Sequence, residues 1–252
     1  MNYTPAEAGE VATALAAVVG TPQAEVLVCP TFLALSDVCR ALAGSSVAAG
    51  AQDVFWKDKG AFTGNISASM LASLGIRYAI VGHSETRGRF GVMEVDASTV
   101  PYFGETDATV GLKIQALLAA GIAPIYCVGE TLAEREAGST DAVIQSQMRG
   151  SLAGISESAL QSLVIAYEPV WAIGTGKVCD TPEAERVCGM IRHEVSCLYS
   201  ESLAASVRVL YGGSVKPDNA AEIFAQPNID GGLVGGASLK PDDFSKVIAA
   251  AQ

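Results

Sequence analysis

Short apolar runs alternate along the whole chain with longer segments whose apolar residues recur at helical spacing. A run bounded by Pro or Gly reads as a buried strand, and a spaced stripe reads as a helix with one face on a core. Thr4-Pro5-Ala6-Glu7 combines a capping box with Pro at the first helical position, so a helix is predicted to start there, with Val11, Leu15, Val18 and Val19 on its apolar face. Val26-Leu27-Val28-Cys29 is then a strand ended by Pro30, Phe32 to Leu42 a helix, and Val47 to Gln52 a strand of small residues. A loop carrying Gly60-Ala61-Phe62-Thr63-Gly64 leads to a short helix through Leu74, and the third strand, Tyr78 to Gly82, ends on His83. After an irregular stretch from Gly88 to Tyr102, the pattern predicts a helix over about Thr106 to Ala120, a strand over Ala123 to Val128, and helical stretches from Leu132 to Leu152. The strand Leu163 to Ala166 follows, and Thr181-Pro182 opens the helix with the clearest period, its Ala184, Val187, Cys188, Ile191, Val195 and Leu198 on one stripe. A strand at Val207 to Tyr211, a helix at Asn219 to Ala225, a strand at Gly231 to Val234 and a helix at Phe244 to Ala251 complete the series.

Strand and helix alternate without a linker or a low-complexity tract, which specifies one α/β domain over residues 1–252 around a parallel sheet. Roughly seven strands are predicted, and the chain opens on a helix. An eight-stranded barrel would therefore lack its first strand. A doubly wound open sheet fits the count, but the Gly-rich turn usual after its first strand is here Cys29-Pro30-Thr31.

Composition narrows the function classes. Of 252 residues half are hydrophobic and 17% charged, enough for a substantial core. The net charge of -11 argues against nucleic acid and anionic membrane surfaces, and leaves any anionic ligand to local donors working against the global field. Six cysteines occur without a C-x-x-C pair; Cys179, Cys188 and Cys197 recur at nine-residue steps, which is not zinc spacing, and with Cys29, Cys39 and Cys127 they read as reduced thiols of a cytoplasmic protein. His193 and Cys197 share a helix face, but two ligands do not make a metal site, and no metal is expected. Neither a signal peptide nor a stretch of membrane-spanning length is found.

The candidate chemistry lies at strand ends. Leu163-Val164-Ile165-Ala166 delivers Glu168, Pro169 stops the ladder, and the apolar segment Val170-Trp171-Ala172-Ile173 is closed by Gly174-Thr175-Gly176. A mobile lid over an acid or base would have this form; taken alone, the stretch reads equally as a strand-end Glu paired with a Lys and followed by an ordinary Gly-rich loop. His83, followed by Ser84-Glu85, ends another strand, and a lone strand-end His is commonly structural. Together a carboxylate base and an imidazole donor on one rim suit proton abstraction next to a carbonyl. Tyr211-Gly212-Gly213-Ser214-Val215 and Leu233-Val234-Gly235-Gly236-Ala237-Ser238 end two successive strands. Paired glycines there let backbone N–H groups reach an anion, although they also serve as plain tight turns; two such turns together with Gly174 favour phosphate.

Tyr78 to Glu85, the Glu168 lid segment, Tyr211-Gly212-Gly213-Ser214 and Gly235-Gly236 resemble the triosephosphate isomerases, as do Gly60-Ala61-Phe62-Thr63-Gly64 and Tyr126-Cys127-Val128-Gly129-Glu130. The similarity runs from Asn2 to the C-terminus in the family's order. It implies a (β/α)8 TIM barrel whose first β-strand is missing from this sequence, and the interconversion of glyceraldehyde 3-phosphate and dihydroxyacetone phosphate in glycolysis and gluconeogenesis. By the same resemblance Glu168 is the base, neutral His83 polarises the carbonyl oxygens of an enediolate, and Glu85 supports the site. Gly174, Gly235 and Gly236, with Ser214, hold the phosphate of a small triose substrate. No cofactor is implied, and the family's usual homodimer places the loop containing Thr63 beside the neighbour's active site.

The match fails in places. The family begins with a strand ending in Asn-Trp-Lys-Met-Asn, whereas this chain begins Met1-Asn2, so the Lys and its strand are absent. A start codon assigned too late is the favoured reading; as written, the chain is expected to be impaired in catalysis and to expose two strand edges. Gly88 to Tyr102 is longer than the family's link to Phe103-Gly104-Glu105 and is expected to be a surface insertion, and Asn65 stands where a Glu is common. Two other readings remain: another phosphosugar isomerase, against which the short apolar lid argues, and a non-catalytic phosphate-binding barrel.

Overall fold

The computed structural model describes residues 1–92 and 95–251; Met93 and Glu94, which belong to the expected insertion, and Gln252 lie outside the described residues. Seven strands, β1 (Val26–Val28), β2 (Val47–Ala51), β3 (Tyr78–Val81), β4 (Ala123–Val128), β5 (Val164–Tyr167), β6 (Arg208–Tyr211) and β7 (Gly231–Gly232), form one sheet in sequence order. Every neighbouring pair is parallel, with register such as Ile80 beside Ile125 and Tyr167 beside Tyr211. Consecutive parallel strands need a crossover, and helices supply most of them. These are α1 (Pro5–Val19) ahead of the first strand, then α2 (Leu35–Ala41), α3 (Ala68–Ser73), α4 (Asp107–Ala119), α5 (Leu132–Glu136) and α6 (Thr140–Leu152). The series ends with α7 (Thr181–Leu198), α8 (Glu201–Ser206), α9 (Ala220–Phe224) and α10 (Pro241–Ala250). This is the TIM-barrel α/β fold with seven strands, and among the described residues β1 and β7 are its two edges.

Strand alternation splits the core into two layers. Ala79, Val81, Tyr126, Val128, Ile165, Tyr167 and Val209 face the helices and join the large cluster that includes Val110, Ile114, Ile144, Val187 and Ile191. Tyr78, Ile80, Ala123, Ile125, Cys127, Val164 and Ala166 form a second cluster on the inner face. Each fully buried Val, Leu or Ile contributes about 1.5–3 kcal/mol relative to exposure, so this two-period pattern fixes strand register. At the N-terminal end of the strands, Tyr78 and Arg208 both bond Glu25 Oε2, at 2.7 and 2.8 Å.

Several predicted boundaries move, each for a local reason. The segment expected to be helical from Phe32 starts as a 3-10 turn (Phe32–Ala34), and the closing helix begins at Pro241 rather than Phe244 because Pro at its start and Asp242 and Asp243 in its first turn suit a helix N-terminus before any apolar residue appears. Helix α8 was not predicted; capped by Ser200 and burying only Leu203 and Ala204, it is too short to display a period. The last strand shrinks from the expected Gly231 to Val234 to two residues, and among the described residues β7 has a ladder partner on one side only. The irregular stretch from Gly88 contains a 3-10 helix, Ala97–Tyr102, capped by Asp96.

Candidate active site

Glu168 follows β5 on the inner-face side of the alternation set by Val164 and Ala166, so its carboxylate enters the mouth of the barrel. It is 2% exposed. Oε2 accepts from the Ser84 N–H at 3.0 Å, and Oε1 accepts from Ser84 Oγ at 3.1 Å and stands 3.0 Å from His83 Nε2. The backbone around it is packed by glycines at the neighbouring strand ends. A Cβ on Gly129 would lie 2.7 Å from the Glu168 carbonyl carbon and closer still to its oxygen, and one on Gly212 would lie 2.9 Å from the Tyr167 oxygen and 3.3 Å from Glu168 Cγ. Gln147 locks Gly129 in turn, accepting from its N–H at 2.9 Å and donating to its carbonyl at 3.2 Å.

His83 lies just past β3. Gly82 takes φ +71°, a turn that aims the next side chain into the barrel mouth, and its N–H donates to Glu105 Oε2 at 3.1 Å. Glu105 also accepts from Thr86 Oγ1 at 2.5 Å and pairs with the buried Lys113, whose ammonium reaches Asp53 at 2.6 Å. The Glu85 N–H donates to His83 Nδ1 at 3.3 Å, which leaves the proton of a neutral ring on Nε2, facing Glu168. Burial works to lower the His83 pKa, but the charge and hydrogen bond of Glu168, with Glu85 and Glu105 behind it, outweigh that effect and the net shift is upward. The Glu85 carboxylate itself is 72% exposed and stays 3.9 Å from Nδ1, so its backbone, not its side chain, makes the contact. Beneath Glu168, burial first and the charge of Glu168 second push the Cys127 thiol well above its usual range.

The stretch after Glu168 forms a 3-10 turn, Val170–Ala172. Trp171 Nε1 donates to Glu130 Oε1 at 2.7 Å, and the Tyr167 hydroxyl donates to the same oxygen at 3.2 Å. Arg135 stacks over the Trp171 ring at 4.2 Å and bonds Glu183 at 2.8 Å. Burial raises the Glu130 pKa against its hydrogen bonds. Thr175 Oγ1 closes the segment on the Trp171 carbonyl at 2.7 Å, while Gly174 and Gly176, at φ +70° and +78°, supply conformations that only glycine adopts readily.

A cavity of about 1450 Å³ runs from the barrel interior, at Leu27, Ile80, Ile125 and Leu210, to the rim. It brings together His83, Glu85, Gly174, Ser214, Gly235 and Gly236, with Glu168 bonded to His83 behind them. Gly235 and Gly236 have negative φ, and a Cβ on either would meet nothing within 4 Å, so neither backbone conformation nor protein packing requires glycine there. Bare backbone facing open space is what an anion cradle needs. Asn219 shapes the other turn, accepting from the Lys216 N–H at 2.8 Å and donating to the Ser214 carbonyl at 2.9 Å. By contrast, His193 Nε2 and Cys197 Sγ, 3.5 Å apart on α7, lie in an exposed pair outside this cavity, and among the described residues no group of three or more His, Cys, Asp or Glu is placed to hold a metal.

The sequence reading did not assign roles to Ser84, Gly129, Glu130, Gln147 or Asn219. Ser84, Gly129 and Glu130 lie inside motifs already singled out, and that adjacency was the available signal. Gln147 and Asn219 sit in helical patterns and carried none.

The family described as triosephosphate isomerase matches residues 1–251. The triosephosphate isomerase of Moorella thermoacetica is 50% identical over 248 residues, covering 98% of this chain and 94% of the relative. That of Chlorobium phaeovibrioides is 49% identical over 253 residues (100% and 95%), and that of Rhodopirellula baltica 47% over 252 residues (100% and 94%). A match over almost the whole chain places this protein in the triosephosphate isomerase family.

Proposed function

We propose that the chain interconverts glyceraldehyde 3-phosphate and dihydroxyacetone phosphate. Glu168 removes a proton from the carbon next to the carbonyl, and the C–H electron pair becomes the C=C bond of an enediolate whose oxygen takes the negative charge. His83 Nε2–H faces that oxygen. Passage of the remaining hydroxyl proton to the charged oxygen by way of His83, and return of the first proton to the neighbouring carbon, give the isomer with no net change in oxidation state. Gly174, Ser214, Gly235 and Gly236 hold the phosphate by backbone N–H groups. Such donors suit this chain, because the cavity's charged side chains include Asp53, Glu85, Asp218 and Asp243 against Lys177, Lys216 and Lys240. Glu85 supports His83 through its N–H.

The observation that carries the reading is the 3.0 Å approach of Glu168 to His83 at one end of a cavity that also reaches the unoccluded Gly235-Gly236 backbone. Relatives named triosephosphate isomerase over nearly the full length support catalysis over a non-catalytic barrel. Glu168→Gln should lower kcat by about 10²–10⁴-fold with little change in KM, and solvent deuterium should cease to enter the substrate carbon at the wild-type rate. Unchanged exchange would sink the assignment.

The glycolytic setting is cytoplasmic; six cysteines without a disulfide support it, and no described helix is long and apolar enough to cross a membrane. The working unit is a homodimer. In support, the loop 60–64 stands out from the barrel with Phe62 40% exposed, although its ring packs on Phe55 at 4.8 Å, and Met70 nearby is also exposed.

A further inference from the structure

The stretch that lengthens the link between β3 and α4 reaches the lid. A Cβ on Gly91 would lie 2.5 Å from the Val170 carbonyl oxygen, closer still to that of Ile173, and 3.1 Å from Thr175 Cγ2. Gly91 is not among the positive-φ glycines, so proximity and not backbone conformation demands glycine. The atoms in the way are main-chain carbonyls of a hydrogen-bonded turn, which cannot swing aside as a side-chain tip can.

The same stretch is anchored to the base. The Arg89 N–H donates to the Ser84 carbonyl at 2.9 Å, and its guanidinium donates to the Gly129 carbonyl at 3.2 Å and pairs with Glu134. Phe90 packs edge-on against Phe103 at 5.2 Å, and Gly88, at φ +68°, abuts the Phe103 carbonyl. Ser84 holds the Glu168 carboxylate and Gly129 abuts its backbone. One short segment therefore touches the holder of the base, the backbone packed on the base, and the turn of the lid.

We propose that residues 88–91 position the lid, with Gly91 as the stop on which the Val170–Ile173 turn rests and Arg89 as the strut that fixes this stop relative to Glu168. The inference rests on the reading of residues 170–177 as a lid over the phosphate. A displaced lid should matter only where there is a phosphate to close on. Gly91→Ala should lower kcat/KM for glyceraldehyde 3-phosphate by about 100-fold, the scale of a roughly 1 Å misplacement in a preorganised site. Turnover of unphosphorylated glyceraldehyde should change less than about twofold.

A second readout needs no activity. The chain has two tryptophans, so in a Trp56→Phe background Trp171 alone reports the lid by fluorescence. Inorganic phosphate should shift its emission in the parent and do so about tenfold less effectively in Gly91→Ala. Equal losses on both trioses with a lowered Tm would make Gly91 merely structural and overturn the proposal. Unchanged kinetics, an unchanged phosphate titration or a parent that gives no shift would overturn it too. If Gly91→Ala does not fold, Arg89→Ala is read the same way, with a loss confined to the phosphorylated substrate and partly restored in Arg89→Lys; a loss shared by both substrates refutes the strut. A parent that turns over neither triose would defeat the isomerase reading alone, because the Trp171 titration still decides whether Gly91 sets the lid.

Discussion

In the proposed reaction Glu168 would leave the groups that hold it in this structure in order to reach a substrate carbon. Two bonds from Ser84 and the approach of His83 Nε2 satisfy a carboxylate that is almost fully buried, which would otherwise be strongly unfavourable. The same contact raises the pKa of His83, and a Glu168 that moved to a substrate carbon would no longer exert that influence. For stability the sign is definite. A histidine raised above its ordinary value of 6.5 contributes stabilisation that is full below that value and disappears as pH rises through the raised one. His83→Gln should therefore destabilise the protein more at about pH 5.5 than at about pH 8.5, by an amount on the order of 1–3 kcal/mol for a charge-assisted bond. Thermal unfolding of both proteins across that range measures it, and a gap independent of pH would refute the pairing as its source.

At the level of elements, adjacent strand ends hold one another by main-chain contact. Gly129 after β4 touches the backbone of Glu168 after β5, and Gly212 after β6 touches Tyr167 from the other side. Gly129→Ala cannot be absorbed by a rotamer change, because the obstacle is a carbonyl oxygen. A loss of about 1–3 kcal/mol in denaturant unfolding is expected, together with a drop in kcat larger than in KM as Glu168, the proposed base, is pushed off line. Wild-type kcat in that variant would show that the strand ends yield more freely than the packing indicates. These contacts mark a boundary of what the sequence disclosed. The strands, the long helices and the strand-end residues were legible because periodicity and glycine placement are local properties. The closeness of Gly129 to Glu168, or of Gly91 to Val170, joins residues far apart in sequence and leaves no periodic trace. Helix α8 was missed for a different reason: six residues are too few to display a period.

Across the whole molecule, the seven-stranded order leaves central and edge strands in unequal positions. Strands β4 and β5 pair on both sides and are fully buried, whereas among the described residues β1 and β7 pair on one side. Amide hydrogen exchange should accordingly be slowest in β4 and β5 and faster in β1 and β7. The same experiment bears on assembly: slow exchange in the exposed loop 60–64 fits the proposed homodimer, and solvent-like exchange there argues for a monomer. The excess of acidic residues acts at this scale as well. A net charge of -11 repels a phosphorylated substrate at long range, so the phosphate site proposed at the barrel mouth would rely on oriented N–H groups whose influence is short-ranged.

The pinch at Gly88 and Phe103 bears on how this fold can change over time. The chain leaves the β3 end and returns to the same place before α4, so residues between those two points can be gained or lost without altering the distance the strands must span. Because that excursion also reaches the turn after Glu168, variation in its length would give an evolving lineage, or a protein engineer, a means of tuning the proposed lid while the residues proposed to touch substrate are left alone.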